Sequence, residues 1–212
     1  GIDLLKSYKI SDAVKIIKEK KYAKFDESLE VCINTGIDSK QSDQNVRGSF
    51  IPPHGLGKKV LIAVFAQGKA AEEAKAAGAK HVGGEDLVAI LEKKIDVDVI
   101  VATPDMMSVV SKIAKILGPK GLMPNPKTGT VTNDVKSTIE NINKGLVAYK
   151  NDKAGTIHAA LGKISFEESQ LTENVVSFLD EIKKIKPSGL KGNFVNSVYL
   201  SSSMGFGLRV EI

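Results

Sequence analysis

The apolar positions of this chain change period as they run, and they do so in two styles. Over residues 58–147, short apolar runs alternate with helical stripes. The run KVLIAVF at 59–65 is almost unbroken, which predicts a strand covered on both faces. An alanine-rich helix follows over 70–77 and stops at Gly78. His81 and Val82 form a short second strand before Gly83 and Gly84. Residues 85–93 read as a helix with Leu87, Ile90 and Leu91 on one side. Residues 97–102 are another buried strand, and 106–117 a helix ended by Gly118 and Pro119. A last helix spans 134–144, capped near Thr132 or Asn133. Strands alternating with helices predict a parallel sheet covered on both faces, Rossmann-like in topology class.

The outer segments differ. Residues 11–20 predict a helix capped by Ser11, with Ala13, Val14, Ile16 and Ile17 as its apolar side. Strands are expected at 25–35 and at 46–51, the second ended by Pro52 and Pro53. Residues 146–150 and 156–160 read as a hairpin around 151–155. An amphipathic helix over 171–185 turns Val175, Val176, Phe178, Leu179 and Ile182 inward. Strands at 194–201 and 207–211 flank the turn 202–205. This is an α+β layer pattern whose pieces come from both chain ends. The expected architecture is therefore α/β and α+β in two domains. Residues 1–57 and 146–212 make a discontinuous α+β domain, and 58–145 make an inserted Rossmann-like α/β domain. Glycines at both crossings, Gly55, Gly57 and Gly145, predict a hinge.

Composition narrows the function. The 42% hydrophobic content suits a packed core, and no apolar run reaches the length of a membrane span. No secretory signal is visible. Cys32 is the single cysteine, so no internal disulfide forms, and its apolar setting predicts a buried structural thiol. His54, His81 and His158 are scattered without metal spacing. The net charge of +5 favours a polyanionic partner. Arginine occurs only at positions 47 and 209, so a nucleic-acid contact here relies on a shaped surface with selected groups.

An enzymatic reading finds little support. The first strand-to-helix turn is Gln67-Gly68-Lys69, with one glycine where a dinucleotide fingerprint needs three. The sequence PNPKTG at 124–129 shares only the composition of a phosphate loop, and no G-x-S-x-G elbow exists. Asp105 follows a strand's end but reads as a helix cap. No cofactor or metal is called for, and the protein is read as a binding protein.

Three segments suit nucleic acid. The first is the loop GPKGLMPNPKTGTVT at 118–132, far longer than an ordinary connector, with Lys120 and Lys127 projecting. The second is SSSMG at 201–205. Its hydroxyls and amides suit phosphate and 2′-OH groups, although Met204 in the core explains the pattern equally well. The third is the stretch with Lys24, Phe25, Ser28 and Glu30. Strand alternation puts Phe25 and Glu27 on one face and Asp26, Ser28 and Glu30 on the other, and on pattern alone Phe25 belongs in the core.

Ordered motifs add a resemblance over nearly the whole chain. SDQNVRG at 42–48, PHGLGK at 53–58, VGGE at 82–85, VATPD at 101–105, the 118–132 loop, NDKAGTIHA at 151–159 and SSSMG at 201–205 resemble the L-one family of large-subunit ribosomal proteins, bacterial type. The resemblance implies rRNA contact through Lys24, Phe25, Ser28, Glu30, Asp152, Lys153, Ser197, Ser203, Met204 and Gly205. It implies a second, weaker RNA contact through Lys120 and Lys127. Ser28 and Ser203 stand where many relatives have Thr, and Ala154 where a hydroxyl is common. The implied function is that of a ribosomal structural protein, monomeric when free, at the mobile stalk of cytoplasmic ribosomes. There it would assist release of deacylated tRNA from the exit site and bind its own mRNA as a translational repressor. Such proteins begin earlier with a basic helix, so one is expected ahead of Gly1. A regulator of a specific mRNA acting off the ribosome is the alternative, and a nucleotide-dependent enzyme the third reading.

Overall fold

The computed structural model describes residues 3, 6–93, 96–187, 189–190 and 192–211, with the backbone alone at 42 and 91–93. The elements run β1 (Ser7–Tyr8), α1 (Ile10–Glu19), β2 (Ser28–Thr35), β3 (Arg47–Phe50), β4 (Ile62–Phe65) and α2 (Lys69–Ala76). Next come β5 (His81–Gly83), α3 (Glu85–Lys93), β6 (Val99–Ala102), α4 (Met107–Lys112), α5 (Ala114–Leu117) and α6 (Val135–Asn143). The chain finishes with β7 (Val147–Lys150), β8 (Thr156–Lys163), α7 (Glu168–Lys184), β9 (Val195–Ser202) and β10 (Leu208–Val210). It divides into two compact units, Gly1–Lys58 with Gly145–Ile212, and Lys59–Lys144.

The first unit is a mixed sheet in the order β1-β10-β9-β2-β8, antiparallel except for β1 beside β10. Alternation along β2 buries Leu29, Val31, Ile33 and Thr35 and turns Ser28, Glu30, Cys32 and Asn34 the other way. Helices α1 and α7 supply the cover for the buried side, through Ala13, Val14, Ile17, Leu171, Val175, Phe178, Leu179 and Ile182. A capping box between Glu167 and Gln170 starts α7, and Lys183 and Lys184 complement the dipole at its end. Val176 is exposed, so the apolar stripe of α7 is narrower than expected. The pair β3–β7 forms its own small sheet against α7, with Phe50 and Tyr149 edge-on to Phe178 at 5.3 and 5.5 Å.

Several expected boundaries move. The hairpin at 146–160 does not form as a ladder, because β7 pairs with β3 while β8 pairs with β2. The side chain of Asn151 explains the divergence. Its Oδ1 accepts from Val46 N at 2.8 Å and its Nδ2 donates to Asn45 Oδ1 at 3.1 Å, drawing β7 toward β3. The two motifs SDQNVRG and NDKAGTIHA thus anchor each other. PHGLGK is likewise fastened by buried Asn174, which accepts from His54 N and donates to the carbonyls of Gly55 and Leu161. Strand β2 begins at Ser28, not Phe25, and α1 is entered from Lys9 with no side-chain cap, leaving Ser11 inside its first turn.

The second unit carries the parallel sheet β5-β4-β6. All four residues of β4 are buried. Ala63 and Phe65 join a cluster with Leu87, Met106, Val110, Ile113 and Leu117. Ile62 and Val64 point to the opposite face, and Ala74 of α2 and Val135, Ile139 and Ile142 of α6 are also buried. The expected helix at 106–117 is broken at Ile113, where φ is −104° and ψ is 11°. Ser111 Oγ donates to Met107 O at 2.8 Å, a back-bond that bends helices, and Ile113 drops into the core. Asp134 caps α6, one or two residues past the expected position. Asp105 sits inside a 3-10 turn entered from Thr103 and caps nothing. In α3, Leu87 is buried but Ile90 is exposed, and Leu91's side chain lies outside the described residues.

Candidate nucleic-acid interface

Register decides which side chains share the sheet's uncovered face. Glu30 stands between Ala160 and Ser201, Cys32 between His158 and Tyr199, and Asn34 between Thr156 and Ser197. Arg209 pairs with Tyr199 and extends the middle row. Each is partly or fully exposed, and their chain neighbours on the strands are buried except Asn196, which is exposed where the β2–β9 register shifts. The face is polar and open, with hydroxyls, an imidazole, a guanidinium and a carboxylate in adjoining rows.

At one end of this face, the turn after β9 meets the start of β2. Ser203 N donates to Ser28 O at 3.2 Å, and Ser203 Oγ accepts from Ser28 N at 3.1 Å. The Ser203 proton points to Glu30 Oε1 at 3.5 Å. One lone pair of this hydroxyl is left for a ligand. Ser28 Oγ accepts from Lys163 Nζ at 3.0 Å, so its own proton has no acceptor among the described residues. Met204 projects into solvent, which removes the reading that placed it in the core. Its N–H donates to Glu27 Oε2 at 2.9 Å. Glu27 is 1% exposed, and its Oε1 makes no hydrogen bond among the described residues. The Met204 N–H, then the nearby Ser202 hydroxyl, hold the Glu27 carboxyl below the usual carboxylate range despite burial. A Cβ at Gly205 would lie 2.3 Å from Ser202 Oγ, so a larger residue there needs that hydroxyl to turn away.

Phe25 is exposed, contrary to the pattern-based expectation, and Glu27 is buried. The two do not share a strand face, because residues 24–27 precede β2 as irregular chain. Lys24 and Phe25 are exposed in the irregular segment that leads into Ser28.

Asp152, Lys153 and Ser197 belong to the other end of the face, six residues along β2 or roughly 20 Å away at 3.3 Å per residue. Asp152 builds its own turn: Oδ1 accepts from Ala154 N and Thr156 N, both at 2.8 Å. Gly155, at φ +80°, closes that turn, and any Cβ there would lie 2.8 Å from Ile37 O. Asp152 Oδ2 lies 3.9 Å from His158 Nε2, and Lys153 is exposed. Burial, then Asp152, pushes the Cys32 thiol up; the residue is half-buried on the open face of β2, not in the core as its apolar setting suggests. Lys163, His158, Tyr199 and Arg209 were not singled out by sequence. The alternation of VYLSS and TIHAA carries the signal, but only once the covered face is known.

Lys120 and Lys127 lie in the second unit, in a loop well fastened to it. Asn125 Oδ1 accepts from Lys127 N at 2.8 Å, and Asn125 N donates to Thr130 Oγ1 at 2.8 Å. Val131 bridges Ala102 of β6, and Leu122 and Met123 pack on the core. Both lysines remain exposed on this rigid frame.

Among the described residues no helix is long and apolar enough to cross a membrane, and no cluster suits a metal ion. The family model described as ribosomal protein L1p/L10e matches residues 17–206. "Large ribosomal subunit protein uL1" of Coxiella burnetii strain Dugway 5J108-111 is 52% identical over 207 residues, covering 97% of this chain and 89% of that protein. The proteins of the same name from Thermosipho africanus and Proteus mirabilis are 49% and 50% identical, each covering 99% of this chain and 91% of the relative. The chain belongs to the ribosomal protein L1p/L10e family, a family of structural proteins, not enzymes.

Proposed function

We propose that this protein is a structural constituent of the large ribosomal subunit that grips folded rRNA with the open face of its five-stranded sheet. One observation carries the reading. Ser28, Glu30, Ser203 and Met204, drawn from distant parts of the chain, converge in one exposed cluster with spare hydrogen-bonding capacity. Ser28 can donate, Ser203 can accept, and Glu30 can take a 2′-OH or base amino proton. Met204 and Phe25 offer apolar area to a base or sugar. The names of the relatives support the ribosomal setting. Lys120 and Lys127 of the second unit add a weaker electrostatic contact, and linkage of the two units raises effective concentration. At the stalk such a protein would contact exit-site tRNA and assist its release. The same face would take its own mRNA wherever that folds like the rRNA site, giving translational repression.

Co-sedimentation tests the reading. The purified chain should travel with large subunits and bind deproteinised large-subunit rRNA in a filter assay. Retention of one mRNA without either ribosomal partner would favour the off-ribosome regulator instead.

A further inference from the structure

We propose that Tyr22 is a stacking platform for one unpaired nucleotide base, an additional RNA contact beside Met204; the inference rests on the rRNA-binding reading above. Tyr22 lies in the irregular segment between α1 and β2 and is 70% exposed. A tyrosine ring left in water forgoes the burial that aromatic side chains ordinarily gain. The ring is nevertheless fixed. Its hydroxyl donates to the backbone carbonyl of Met204, 182 residues away. The N–H of that same residue donates to buried Glu27 at 2.9 Å. Met204 is therefore held through both its backbone polar groups, and Tyr22 is one of the two clamps.

Phe25 and Met204 are 57% and 56% exposed, so three large apolar side chains stand in water at one end of this unit. Lys20, Lys21 and Lys24 are exposed between and beside them. The two acids next along the chain are occupied: Glu27 is buried, and Asp26 accepts from Ser165 N at 3.2 Å and Oγ at 2.8 Å. Exposed aromatics interleaved with lysines suit a polyanion carrying flat bases better than an apolar protein face. A preset ring also loses little freedom when a base lies on it. Base–aromatic stacking tolerates any base, so Tyr22 contributes affinity without choosing sequence.

The test is filter binding of deproteinised large-subunit rRNA to the full chain and to Tyr22→Ala, Tyr22→Phe and Met204→Ala, with thermal melts of each. Tyr22→Ala should bind roughly 5- to 150-fold more weakly, the range for one lost stacking contact. Tyr22→Phe keeps the ring and should retain most of the affinity, and both should melt close to wild type. Wild-type affinity in Tyr22→Ala, with Met204→Ala impaired, overturns the stacking role and leaves the rRNA reading intact. An equal loss in Tyr22→Phe also overturns it, because the hydroxyl clamp would then be what matters. Failure of the wild-type chain itself to bind rRNA removes both readings.

Discussion

Met204 owes its exposed position to a carboxylate that solvent hardly touches. Glu27 accepts the Met204 N–H, and its carboxyl is held below the usual range. A folded-state pKa below the unfolded one stabilises the native state fully above the unfolded value, roughly pH 4.3, and that contribution fades as pH falls through the lowered folded value. Replacing Glu27 with Gln should cost about 1–3 kcal/mol at pH 7, as for a charge-assisted hydrogen bond. It should also flatten the acid side of the stability profile. Urea unfolding at pH 7 and at lower pH checks this, and parallel profiles for the two proteins would refute it. Ser203 has a double task. Ser203→Val removes the acceptor of Ser28 N–H, so it should lower stability by about 1 kcal/mol as well as weaken rRNA binding by roughly 1–3 kcal/mol. Met204→Ala should reproduce only the binding loss, since its side chain is exposed. Ser203→Thr should restore both properties, which a melt and a filter assay would read in one series.

Among the elements, α7 ties the layers of the first unit together. Phe178 is fully buried and touches rings from both strands of the small sheet. Phe178→Ala should cost about 3–5 kcal/mol, measured by denaturant unfolding, and a loss well under this would mean the small sheet repacks. This helix was legible in the sequence because its stripe is long and periodic, and β2 because eight residues alternate cleanly. The divergence of β7 from β8 was not legible. The turn at 152–155 forms as expected, but which strand pairs with which is decided by Asn151 reaching a segment about a hundred residues earlier. The two-residue β1 carries no period to read, and it exists through pairing with β10. The break at Ile113 was missed because the apolar stripe continues across it. Phe25 was misplaced because a run of alternating residues does not announce where its ladder starts. The candidate site was thus only partly legible: Ser203, Met204 and Gly205 stood out as a turn, whereas the rows of His158, Tyr199 and Arg209 depend on register.

At the scale of the whole molecule, the proposed contact would meet a polyanion with few cations. Lys20, Lys21, Lys24, Lys153 and Arg209 are exposed on or beside the face, and Lys120 and Lys127 are exposed in the other unit. Binding should therefore depend modestly on salt, with log K against log[salt] sloping by roughly −3 to −5, less than an arginine-rich tail would give. The double variant Lys120→Ala, Lys127→Ala should make that slope shallower by about 1–2 while leaving specificity unchanged. A salt titration of filter binding checks both values, and an unchanged slope would exclude the loop from the contact. In the proposed complex, one open sheet face, with the turn carrying Ser203 and Met204 at its end, meets folded large-subunit rRNA. Hydroxyl-radical footprinting of naked large-subunit rRNA with the intact chain and with Met204→Ala examines that contact without intermediaries. The wild-type chain should protect one compact patch, which fades with the variant at equal concentration. Scattered or absent protection, or a patch identical with both proteins, would contradict that contact.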